Sequence, residues 1–111
     1  MSIKPIVVRL KRKNGTIVQD CDLYIGREIH RGGWNLPQSD WANPFTIERC
    51  GSAKEAVRCY ENYIRNKRPD LLRRIPELDR KTLGCWCKPG PCHGDILIKL
   101  FEEYQSKNEF S

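Results

Sequence analysis

The chain has 111 residues, 39% of them hydrophobic and 31% charged, with a formal net charge of +6. That length supports one core, since a second would be too small to stabilise itself, and no apolar run approaches the ~20 residues that cross a bilayer. The opening Met1-Ser2-Ile3-Lys4-Pro5 lacks the long apolar stretch of a secretory signal, so the expected location is the cytoplasm, or the nucleus in a nucleated cell.

Taken in chain order, Pro5-Ile6-Val7-Val8-Arg9-Leu10 is short, β-branched and apolar, the pattern of a buried strand. Lys11-Arg12-Lys13-Asn14-Gly15 follows, and Asn-Gly marks a tight hairpin because both residues tolerate positive φ. Thr16-Ile17-Val18 reads as the return strand, and Cys21 to Gly26 as a further strand ending at glycine. The stretch from Arg27 to Thr46 is rich in Gly, Pro and Asn and holds Trp34 and Trp41. So long an irregular segment is uncommon in a compact domain unless it builds a site or a lid.

Ser52-Ala53-Lys54-Glu55 is a capping box, in which hydroxyl and carboxylate satisfy orphan helix N–H groups. Behind it Ala56, Val57, Tyr60, Tyr63 and Ile64 recur at helical spacing and predict three to four turns. A second, short helix is expected over Pro69 to Ile75, stopped by Pro76. Lys81 to Cys87 reads as another strand, and Ile96, Leu97, Leu100, Phe101 and Tyr104 make the apolar stripe of a last helix. The order implies an α/β single-domain sandwich with a mostly parallel sheet, an N-terminal β-hairpin and a C-terminal strand–turn–helix unit.

Six cysteines are present, and Cys85, Cys87 and Cys92 crowd into one turn while Cys21, Cys50 and Cys59 are scattered. In an intracellular setting they are expected as reduced thiols. Three chemistries fit the turn. Lys88, Gly90, Gly94 and Asp95, near the start of the last helix, could hold an anion on open N–H groups, with Asp95 competing as a cap. Cys92 at a helix N-terminus is the candidate nucleophile, with His93 beside it and His30 of the long loop as an alternative base. A buried, inert thiol is the competing reading for Cys92. Cys85, Cys87, Cys92 and His93 contain the atoms for zinc, although the spacing differs from the common knuckle. No cofactor is therefore expected, zinc being the one candidate. Trp86 is read as a core side chain that points opposite to Cys85 and Cys87.

In the long loop, Arg27, Trp41 and Asn43 are candidates to grip a phosphate and stack or hydrogen-bond a flat ring. The alternative is that the aromatics plug the loop onto the core and Asn43-Pro44 makes a turn.

Tyr24-Ile25-Gly26-Arg27, Trp41-Ala42-Asn43-Pro44-Phe45, Leu71-Leu72, Ile75-Pro76-Glu77-Leu78, and Lys81 to Cys87 through Pro91-Cys92-His93-Gly94-Asp95 together resemble the domain of unknown function numbered 4326, a family of small proteins from bacteria, viruses and some eukaryotes. The resemblance implies a family-like core over residues 21–105, an added strand and basic hairpin over 1–20, and a tail over 106–111. The turn is also similar to one in another α/β family in which Cys-His-Arg opens a helix; Gly94 replaces that arginine here. Neither resemblance carries an activity. The leading expectation is a domain that binds, or acts on, a phosphorylated small molecule such as a nucleotide. Nucleic acid on the basic surface and a zinc-stabilised interaction module are the alternatives, and no membrane partner is expected.

Overall fold

The computed structural model describes the backbone of residues 3–109 and the side chains of residues 3–107. Three parallel strands form the main sheet: β1 (Ile6–Arg9), β4 (Leu23–Tyr24) and β5 (Thr82–Cys85). Their order is β1-β5-β4, with Val7 and Leu23 both aligned on Leu83. β5 is therefore the central strand, and its Leu83, Gly84 and Cys85 are buried, as expected where both faces of a parallel strand are covered. β1 is an edge strand rather than a buried one, and Ile6 stays 55% exposed.

The hairpin forms as its turn chemistry requires. β2 (Lys11–Lys13) pairs antiparallel with β3 (Thr16–Gln19) as a separate ribbon, and Asn14 and Gly15 both take positive φ, 52° and 78°. The ribbon is solvated, with Val18 56% exposed. The strand expected over Cys21 to Gly26 shrinks to two residues, because only Leu23 and Tyr24 find ladder partners on β5.

The helices pack on one another, and the last of them carries the group against β1. α1 (Ile47–Cys50) is a single turn capped by Thr46, which loop composition had hidden. α2 (Ala53–Lys67) starts where the capping box predicts, with the Ser52 hydroxyl accepting from the Glu55 N–H at 3.1 Å. The second helix divides: α3 (Pro69–Leu72) is followed by a 3-10 turn over Ile75–Leu78. Pro76 opens that turn rather than stopping a helix, since a missing N–H costs nothing in a first turn. α4 (His93–Glu109) runs through most of the segment expected as a tail; residues 110 and 111 lie outside the described residues. No helix among the described residues is long and apolar enough to cross a membrane.

α4 touches β1, α2 and the 3-10 turn. Leu97, Phe101, Tyr60, Ile64, Leu71 and Leu78 fill the space between them. The outer edge of the α2–α4 contact is closed by Arg65, which pairs with Glu103 at 2.6 Å and Glu61 at 2.9 Å. The long loop is tied to α2 from inside: the buried Tyr60 hydroxyl donates to the Trp41 carbonyl at 2.7 Å. Burial pushes the Tyr60 phenol well above its ordinary range, which favours the protonated, donating form. Tyr60→Phe is expected to lower unfolding free energy by ~1–2 kcal/mol, because the carbonyl loses its buried partner. Urea denaturation reads this, and an unchanged midpoint would mean the tie contributes nothing.

Candidate functional site

Parallel strands all end on one side, and loops emerging there define the crevice in which α/β proteins hold ligands. Here β4 runs out into Ile25-Gly26-Arg27, and β5 into Trp86-Cys87 and the turn leading to α4. A cavity of about 850 Å³ lies between these ends and the start of α2. Phe45, Ile47, Val57 and Trp86 give it an apolar wall, while Arg27, His30, Arg31, Cys87, Gly90 and His93 lie on its other parts. The β5–α4 corner and the segment after Gly26 thus share one cleft.

Ile29, Arg31 and Trp86 also line a second depression of about 650 Å³, together with Arg9, Lys11, Arg12 and Trp34. Trp86 is half-buried between the two cavities, not a core residue. The strand ends at Cys85, so strict alternation no longer sets its direction. Its Nε1 donates to the Tyr24 hydroxyl at 2.7 Å, and its ring meets Trp34 edge-on at 5.5 Å. The Arg12 guanidinium lies over Trp34 at 5.4 Å, a cation–π contact that holds the hairpin over the loop.

Several expected ligand residues are occupied in holding the loop. Arg27 reaches the cavity, but its Nε donates to the Asn43 carbonyl at 3.0 Å and its Nη2 to that of Phe45 at 3.3 Å. Asn43 also lines the cavity, yet its Oδ1 accepts from the Phe45 N–H and its Nδ2 donates to the Ala56 carbonyl. This is the turn reading, with the amide clamping the loop to α2. Trp41 lies outside the cavity, 2% exposed in the core with Arg74 over its ring. Lys88 and Asp95 pair with each other. Gly90 is on the cavity wall. Gly94 serves packing instead: a Cβ there would stand 2.8 Å from the Val7 side chain and 3.0 Å from Ile25. Only glycine lets α4 approach the sheet this closely.

The catalytic candidates separate. Cys92 is fully buried and not on the cavity wall, with its thiol 3.1 Å from the Cys85 sulfur. His93 turns the other way and hydrogen-bonds the Ile25 carbonyl through Nε2 at 2.7 Å, as neighbouring helical positions must diverge. No Cys92–His93 pair exists. His30 is held by Glu28 and Asn35, and the Glu28 hydrogen bond raises its pKa above the ordinary 6.5, which favours the imidazolium over a free base.

Cys85, Cys87 and Cys92 come together, their sulfurs all within 4.8 Å of one another; His93 is not part of the group. Hydrogen bonds from Cys87 and Cys92 favour the Cys85 thiolate, and that contact pushes both partners up. Only Cys87 is exposed and faces the cavity. Arg31, Trp86 and Cys87 are the cavity residues that sequence reasoning undervalued. An arginine directly before Gly32-Gly33 in a long loop was the available signal for the first.

The profile of the family described as Domain of unknown function (DUF4326) matches residues 8–103. The chain is similar to the uncharacterized protein R718 of Acanthamoeba polyphaga mimivirus, 49% identical over 106 residues, covering 88% of this chain and 80% of that protein. It is also similar to the uncharacterized 12.4 kDa protein in the nrdA-td intergenic region of Enterobacteria phage T4, 32% identical over 75 residues, 65% of this chain and 63% of that protein. No solved structure matches.

Burial lowers the pKa of His93 below its ordinary 6.5. The unfolded chain then takes up this proton before the folded one, so stability is full above pH 6.5 and falls as pH drops below it. Between pH 6.5 and about 5, where carboxylates hardly titrate, His93→Gln is expected to flatten that fall relative to wild type. Chemical denaturation across the interval checks it, and parallel slopes would refute the assignment.

Proposed function

The chain belongs to the family of the Domain of unknown function (DUF4326), and from its geometry we propose that it binds a phosphorylated small molecule bearing a flat or apolar group, with nucleotides the best-fitting class. The observation that carries this reading is an apolar cavity and a cationic depression that share Ile29, Arg31 and Trp86 in their walls. A base or similar ring suits the wall of Phe45, Ile47 and Val57, and phosphates suit Arg9, Lys11, Arg12 and Arg31.

Charge pairing supports the same division. Among the described residues Arg65, Arg68, Arg74 and Lys88 are each paired with a carboxylate, whereas Arg9, Lys11, Arg12 and Arg31 make no ion pair. Arg9 and Arg12 instead donate to the carbonyls of Lys88 and Gly15. Arg9 and Arg12 are thus aligned by uncharged partners that leave their charge uncompensated. Should the ligand react with a thiol, that step falls to Cys87, which faces the cavity, rather than to buried Cys92.

Thermal unfolding with a panel of nucleotides and other phosphorylated compounds tests the reading. A ligand at about ten times its Kd adds about 1.4 kcal/mol, which raises the Tm of so small a chain by several degrees. Arg31→Ala is expected to remove more than half of that rise while changing ligand-free stability by no more than ~0.5 kcal/mol. No rise with any phosphorylated compound, or an equal rise in Arg31→Ala, removes the proposal. The exposed basic hairpin beside the depression favours a second reading, a nucleic-acid strand laid across it. Its mark is affinity that falls steeply with salt, and a flat salt response excludes it.

A further inference from the structure

We propose that Cys85, Cys87 and Cys92 form a three-thiolate site for one zinc ion, with the fourth coordination position turned toward the larger cavity. The inference stands on the arrangement of the sulfurs and does not depend on the phosphorylated ligand proposed above.

Three corners of a zinc tetrahedron with bonds of about 2.3 Å stand about 3.8 Å apart. The Cys85–Cys92 separation of 3.1 Å and the limit of 4.8 Å across the trio bracket that spacing. Adjustments of about an ångström or less bring all three onto a metal. The ligands come from both ends of the turn, Cys85 closing β5 and Cys92 preceding α4, so the ion would join strand to helix.

The surroundings are those of a thiolate site. Backbone N–H groups of Cys87 and Lys88 face the Cys85 sulfur, that of His93 faces Cys87, and that of Gly94 lies 3.4 Å from the Cys92 sulfur. Such donors orient and stabilise anionic sulfur, as outer partners do around bound metals. Three sulfurs this close, once all are deprotonated, repel one another unless a cation sits between them. The nearby ammonium of Lys88 is engaged by Asp95. An all-sulfur donor set selects a soft or borderline ion such as zinc over magnesium or calcium. The direction of the fourth position follows from exposure: Cys85 and Cys92 are buried, whereas Cys87 is exposed and shares the cavity wall with Gly90, Pro91 and His93. Three protein ligands and one open position distinguish a reactive zinc from a closed structural one.

The competing fate of these thiols is a Cys85–Cys92 disulfide, which would strand Cys87, so the test is run on reduced full-length protein. Stripped of metal, the chain is titrated with cobalt(II) and with zinc. The expected result is a near-ultraviolet thiolate-to-cobalt band with intense tetrahedral d–d absorption, saturating at one ion per chain and displaced by zinc, and a higher Tm with zinc than without. Cys87→Ser, at an exposed position that the core does not need, is expected to lose the saturating band and the Tm rise. Cys50→Ser, in the thiol pair with Cys59, is expected to keep both. Absence of the band and of any zinc-dependent Tm rise would overturn the site, as would a band unchanged in Cys87→Ser or lost in Cys50→Ser. So would a Cys85–Cys92 disulfide that persists in excess reductant. Arg31→Ala is expected to bind cobalt normally, so failure here and failure of the ligand reading are distinguishable.

Discussion

The close approach of α4 to the sheet governs the arrangement of everything near the site. Gly94 allows it, since any larger residue would run into Val7 and Ile25, and His93 locks it through the Ile25 carbonyl. With that first turn seated, Cys92 falls beside Cys85, and the turn from Cys87 to Pro91 is left to border the cavity. An apolar contact and one buried hydrogen bond therefore decide which sulfurs meet and which one sees solvent.

A second constraint acts from the other side. The loop after Gly26 has almost no regular structure, with one isolated bridge between Ile29 and Leu36, yet side chains satisfy backbone groups that its few backbone–backbone hydrogen bonds leave over. Arg27, Asn43 and Gln38 supply hydrogen bonds that a strand or helix would otherwise provide, as buried or crowded backbone requires. This explains why two residues with the chemistry to grip a ligand are committed to the loop. Arg31, one turn beyond those ties, stays available between the two cavities.

Around the helices, cations and carboxylates interleave: Glu61 is shared by Arg65 and Lys99, and Asp40 and Glu77 both hold Arg74. These partly exposed pairs individually add little stability. On the hairpin side Arg12 lies over Trp34, and neither it nor Arg9, Lys11 or Arg31 makes an ion pair among the described residues.

How far the linear chain could be read follows from the range of the forces involved. Local signals were legible: the Asn14-Gly15 turn, the Ser52–Glu55 capping box and the stripe of α4 each depend on neighbours within about one helical turn, and the parallel sheet followed from element order. The family was legible from motifs spread along most of the chain. Side-chain orientation at the site was not. Whether Cys92 faces a ligand or Cys85, whether Trp86 lies in the core or between two cavities, and whether Arg27 holds a phosphate or its own loop are set by contacts between residues 7 to 62 positions apart. Those contacts exist only once α4 packs on the sheet and the loop is bound to α2, because burial, not residue type, decides which polar atoms remain for a partner.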